Sequence, residues 1–249
     1  MRRAAALLAV AVVSFSGCGG SDSGSTSLTV SAASSLKLAF EAYARQLAHT
    51  RVRFSFAGSD ELAAQIRQGA RPDVFAAAST KLPDDLFRRR LTERPIAFAG
   101  NRLVLAVPPS SNVRSLSDLE RPGVKLVVGA PGVPVGAYTR EVLARLGPAW
   151  SRRVLDNVSS NEPDVAGVVG KLTQGAADAG FVYITDVKAT KGALTAIGLP
   201  KRMQPSVAYA AAVVKGSPHP GRARAFIDGL LRGRGLRTMR RAGFEPPPK

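Results

Sequence analysis

Two serine-bearing junctions carry the chemistry that this chain offers. At the first, the β-type run Leu28-Thr29-Val30 gives way at Ser34 and Ser35 to a helical pattern from Leu36 to Leu47. At the second, Val52 to Phe56 leads through Gly58 and Ser59 into Glu61 to Gln68. The first amides of a helix have no partner within it, so a hydroxyl beside them makes a ready site for a small anion. The alternative role for each serine is a helix N-cap. Neither has Glu or Gln three residues on (Leu38 follows Ser35 and Leu62 follows Ser59), so neither belongs to a capping box.

The elements that must hold these serines read as alternating strand and helix, which argues for an α/β protein with parallel strands. After the two opening units come a short strand Asp73 to Ala77, a polar helix Asp84 to Arg90, and a strand Asn101 to Val107 stopped by Pro108-Pro109. Leu126 to Gly129 is the next strand, followed by the Pro131 to Gly136 loop and a helix through Tyr138 to Leu146. Asp164 to Gln174 reads as helix, Ala179 to Ile184 and Val207 to Val214 as strands, and Arg222 to Arg232 and Gly235 to Arg241 as terminal helices. In the first helix, Leu36, Phe40, Tyr43 and Leu47 share one stripe while Lys37, Glu41 and Arg45 lie off it. That face packs on a sheet and so fixes where the helix start points.

Residues 1–17 read as an export signal: Arg2 and Arg3, the apolar run Ala4 to Val13, then small residues up to Cys18. Gly17-Cys18 resembles a lipobox, which implies a lipidated Cys18, with ordinary secretion as the alternative. Residues 18–27 form a Gly/Ser/Asp tether. Cys18 is the single cysteine, so no internal disulfide and no cysteine metal cluster can form. The formal net charge of +17 comes mainly from arginines spread along the whole chain, without interleaved aromatics. That distribution in an exported protein speaks for a solvated basic surface and against a nucleic-acid partner. Its positive field still favours arriving anions and an anionic membrane face.

Five strings, in order and spacing, resemble the molybdate-binding proteins of ABC importers. They are Thr29 to Leu36, Phe56-Ala57-Gly58-Ser59, Gly69 to Phe75, Val133 to Tyr138, and Ala179 to Tyr183. The likeness covers nearly all of the chain after the tether. It implies a two-lobed periplasmic-binding-protein type II fold, each lobe a mixed, mostly parallel sheet flanked by helices, with the ligand in the cleft between. Lobe one is expected to comprise residues 28–102 and 213–249, and lobe two residues 103–212. By matching motifs, the resemblance places molybdate on Ser35, Ser59, Val135, Val165 and Tyr183, through hydroxyls and backbone amides. Ser34 stands where the family often has alanine, so either serine of that pair is a candidate, and Pro72 is a second departure from the pattern. The resemblance further implies tungstate as a second ligand, permease and ATPase partners in the membrane, and a monomer. No cofactor and no cationic metal are expected, since molybdenum is held as its oxyanion.

Burying a dianion requires replacement of its hydration shell. About seven donors, at roughly 1.5–3 kcal/mol each for hydrogen bonds to a charged group, supply that without a cation. No Arg, Lys or His stands beside the serines. Nothing in the set titrates near neutrality, so affinity is expected to be flat between about pH 6.5 and 8.5. Another tetrahedral oxyanion, sulfate or phosphate, is the competing ligand, and Asp60 is the carboxylate nearest in sequence to take a phosphate proton. A surface protein holding polyanions on its basic face is the competing class. Tyr183 also fits an ordinary core position. Catalysis finds no support: His49 and His219 stand in polar contexts, no HExxH, GxSxG or Walker string occurs, and Gly132 to Gly136 lacks the Lys-Ser/Thr of a phosphate loop.

Overall fold

Short apolar runs become strands here because helices cover both faces of each sheet. The computed structural model describes residues 26–248; the expected export signal, Cys18 and most of the tether lie outside them. The chain begins with β1 (Thr26–Ala33), a 3-10 turn (Ser34–Leu36), α1 (Lys37–Ala44), β2 (Thr50–Ala57), α2 (Ser59–Arg67), β3 (Val74–Ala77), α3 (Lys81–Arg88) and β4 (Ile96–Asn101). A second run follows: β5 (Leu103–Val107), β6 (Leu126–Gly129), α4 (Pro134–Ala144), α5 (Pro148–Asp156), β7 (Val158–Glu162), α6 (Val165–Thr173), β8 (Ala179–Tyr183), α7 (Ile184–Ala189) and β9 (Thr195–Gly198). β10 (Val207–Val213), α8 (Pro220–Leu231) and α9 (Gly233–Ala242) complete it.

Two five-stranded sheets result, ordered β2-β1-β3-β10-β4 and β7-β6-β8-β5-β9. In each, one strand runs against the other four: β10 in the first and β5 in the second. These are the mixed sheets of a two-lobed α/β fold. The chain crosses from one sheet to the other at Arg102, which separates β4 from β5, and returns before β10.

Three boundaries differ from expectation. Asn101 ends β4 in the first sheet, so the run Asn101 to Val107 is not one strand. β10 pairs with β3 and β4, so the chain is back in the first sheet at Val207, and a second lobe drawn to residue 212 includes a strand of the first. A strand buried at every position, as β10 is, carries no face preference that would tell which sheet it joins. Thr26 and Ser27 belong to β1 and not to the tether, because β1 pairs with β2 from Thr26↔Thr50 onward.

The α1 stripe packs as its spacing requires. Leu36, Phe40 and Tyr43 are buried while Lys37 and Arg45 are exposed, and the Phe40 ring meets Phe226 of α8 edge-on with centroids 5.4 Å apart. Asp73 fastens β1 to its neighbours: its Oδ2 accepts from the Thr29 amide (2.7 Å) and hydroxyl (2.9 Å), and its Oδ1 from the Ser217 hydroxyl (2.6 Å). The carboxylate is buried, which raises its pKa, but those bonds and the nearby His219 together bring it below the ordinary aspartate value. In the second lobe Gly136 lets α4 press onto the end of β6, since a Cβ there would collide with the carbonyls of Gly129 and Ala130. That close approach sets the start of α4 beside the cleft.

Candidate anion site between the lobes

The five residues on which the resemblance places molybdate line one cavity. Ser35, Ser59, Val135, Val165 and Tyr183 surround it, with Ser34, Gly58, Ala78, Pro134 and Asp164 among their neighbours. The cavity volume is about 10 Å³, far below the roughly 300–1,000 Å³ of clefts that hold drug-sized ligands. A compact ion suits it better than an organic molecule.

Four helical starts converge there, two from each lobe. Ser34 and Ser35 open the 3-10 turn that leads into α1, Ser59 is the first residue of α2, Val135 is the second of α4, and Val165 is the first of α6. Each start presents amides without intrahelical partners and the positive end of a peptide dipole. The lining contains no Arg, Lys or His. Its single carboxylate, Asp164, is engaged as the α6 cap, accepting from the Gly167 amide at 2.8 Å.

Neither serine caps its helix through its side chain. Ser59 is buried, and its Oγ accepts from the Ala78 amide at 3.1 Å. Ser35 Oγ lies 3.0 Å from the Tyr209 hydroxyl. Tyr183 is 1% exposed, and its hydroxyl has no hydrogen-bond partner among the described residues. Burial, with Tyr209, Tyr138 and Asp186 nearby, holds its pKa well above the ordinary tyrosine value, so the phenol stays protonated as a donor. Buried polar groups in folded proteins are nearly always paired, so a bare hydroxyl on a cavity wall points to a ligand.

Two neighbours escaped the sequence reading. Tyr209 sits in the all-apolar run Val207–Val213, where a tyrosine looks like core; a buried phenol's need for a polar partner was the available signal. Asp186 looks like a solvated helix residue, yet it is buried and its Oδ2 accepts from the Tyr183 amide at 3.0 Å. Burial pushes its pKa up to about 7, against the pull of the Tyr183 amide and with a contribution from Asp164. That raised pKa, one hydrogen bond from Tyr183, argues against the flat pH response expected from the sequence. Asp60 is not part of the lining; its Oδ1 is buried without a partner among the described residues, near Gly58.

The sequence profile described as bacterial extracellular solute-binding protein matches residues 28–245. The chain belongs to that family. Within it, the chain is 35% identical over 235 residues to the molybdate-binding protein ModA of Mycobacterium tuberculosis, an alignment covering 92% of this chain and 88% of the relative. It is 31% identical over 258 residues to YvgL of Bacillus subtilis, named as an ABC transporter substrate-binding lipoprotein, with 96% and 95% covered. The fold matches the periplasmic molybdate-binding protein of Azotobacter vinelandii at a TM-score of 0.78 and 23% identity, covering 89% of this chain and all of that one. As a solute-binding protein, the chain carries its cavity where its two sheets meet. Among the described residues no helix is long and apolar enough to cross a membrane.

Proposed function

We propose that this solute-binding protein captures molybdate, and tungstate with it, in the cavity between its lobes and delivers it to the permease and ATPase of an ABC importer. The observation that carries this proposal is the buried Tyr183 hydroxyl, unpaired among the described residues, on the same wall system as two serines and four helical starts. Ser35, Ser59 and Tyr183 would donate through hydroxyls, and Val135 and Val165 through amides. Such donors in a low-dielectric cavity replace hydration without adding a counter-charge. They suit a fully deprotonated tetrahedral dianion. A protonated phosphate also needs an acceptor, and the lining offers a single carboxylate, Asp164, whose Oδ1 already caps α6.

The similarity to ModA proteins supports the same ligand, and the name of the YvgL relative agrees with a lipid anchor at Cys18. The protein acts outside the cytoplasm as a monomer held to the membrane by acyl chains, with a binding role and no catalytic one. Native mass spectrometry tests the ligand directly: one molybdate per chain is expected, and a chain that carries phosphate in preference would overturn the assignment.

A further inference from the structure

Ser35 does not meet the cavity on its own. Its Oγ is 3.0 Å from the hydroxyl of Tyr209, a fully buried residue of β10. The same hydroxyl accepts from Asn101 Nδ2 at 3.4 Å, and that nitrogen also donates to Thr185 Oγ1 at 2.8 Å. The orientation of the Asn101 amide follows from its other end. Asn101 Oδ1 accepts from the Arg102 backbone N–H at 2.9 Å, and since an N–H can only donate, the atom facing it must be the oxygen. The nitrogen is thereby turned toward Tyr209 and Thr185.

Directions then propagate along the chain of groups. An amide nitrogen has no proton-accepting role, so Tyr209 must accept from Asn101 and spend its own proton elsewhere. The partner in reach is Ser35 Oγ. With a lone pair of Ser35 occupied, the serine proton is the part left to point into the cavity. Burial keeps Tyr209 protonated, raising its pKa well above the ordinary value. Ser59 reaches the same state by a simpler route, because the Ala78 amide can only donate to it.

We infer that Asn101 and Tyr209 form a relay that fixes the Ser35 hydroxyl as a donor toward the bound oxyanion. Both are positioning residues: they touch Ser35 or each other and do not line the cavity. The inference rests on the proposed role of Ser35 in anion binding. The relay also reaches across the fold, from β10 and β4 of the first sheet to Thr185 at the start of α7 in the second lobe.

The test is a double-mutant cycle read by calorimetric titration with molybdate. Tyr209→Phe keeps the ring packed against Phe98, Tyr183 and Phe244 and removes only the hydroxyl. It should weaken binding roughly fivefold to tenfold, the cost of one misdirected hydrogen bond. In a Ser35→Ala background the same change should cost almost nothing, whereas in a Ser59→Ala background it should cost the full factor. A merely structural role for Tyr209 would give the same loss in both backgrounds, and that result would overturn the relay. So would unchanged affinity in Tyr209→Phe while Ser35→Ala binds weakly. If Ser35→Ala itself binds as tightly as the parent, the assignment of Ser35 to the site fails and the relay with it. Thermal melting without ligand checks folding, and if Tyr209→Phe does not fold, Asn101→Ala carries the cycle, with a smaller loss that again must vanish alongside Ser35→Ala.

Discussion

Gly58 of the first lobe rests directly against the carbonyl oxygen of Pro163 in the second. A Cβ built on Gly58 would lie closer to that oxygen than the 3.0 Å that real side chains respect. Its backbone, at φ −59° and ψ 136°, suits any residue, so the glycine is required by the neighbouring lobe and not by its own conformation. The contact lies next to Ser59, where the lobes close on the cavity.

Gly58→Ala should therefore leave the unliganded protein as stable as the parent while preventing full closure. Overpacking a tight contact costs about 1–3 kcal/mol, so molybdate affinity should fall on the order of tenfold. Small-angle scattering should show the parent compacting with ligand and the variant remaining extended. Equal compaction and affinity would show that the lobes tolerate a side chain here.

Ser35→Ala and Ser59→Ala should each weaken molybdate binding by roughly 1.5–3 kcal/mol through loss of a charge-assisted bond. Both should also lower the stability of the empty protein, by about 1–3 kcal/mol, because each strands a buried donor: Ser59→Ala the Ala78 amide, and Ser35→Ala the Tyr209 hydroxyl, which keeps the bond it accepts from Asn101 but loses the one it donates. Denaturant melts of both variants without ligand check this.

Asp186 makes both binding and stability depend on pH. Its folded pKa is raised, from an ordinary 3.8 to about 7, so its contribution to stability is fully present below the lower value and is lost as pH rises through the upper one. The stability of Asp186→Asn relative to the parent should accordingly rise across that window. Molybdate affinity of the parent should fall as pH rises through about 7, where Asp186, bonded to the Tyr183 amide behind the cavity wall, gains its negative charge. Titrations at pH values on both sides check this; an equal slope in Asp186→Asn would acquit Asp186.

Much of this site was legible because its signals are local. A β-type run, a serine and an amphipathic stripe mark a helix start wherever they occur, and Ser35 and Ser59 lie at such starts, whereas Val135, Val165 and Tyr183 followed from the resemblance. What escaped depends on long-range placement. β7 and β9 are edge strands with partly exposed, polar or short sequences, so they lack the apolar pattern of β6 or β8. Tyr209 lies 174 positions from Ser35 in sequence, and only the pairing of β10 with β3, itself paired with the β1 strand that leads into Ser35, brings the two together. Asp186 gains its raised pKa from burial, which no local pattern announces.

Cys18→Ser should shed the protein from the membrane or leave it unprocessed, since acyl chains and not basic charge give stable attachment. Fractionation after a high-salt wash checks this. Retention of the variant would assign attachment to the arginine-rich surface.

The most direct measurement is calorimetric titration of the protein with molybdate, tungstate, sulfate and phosphate at low and high salt. Binding through neutral donors in the cavity between the lobes should give one site per chain for molybdate and tungstate, weaker binding of sulfate and phosphate, and affinity that survives added salt. Preference for phosphate, or several weak sites that fade together as salt rises, would contradict a dedicated oxyanion cavity and return the function to the basic surface.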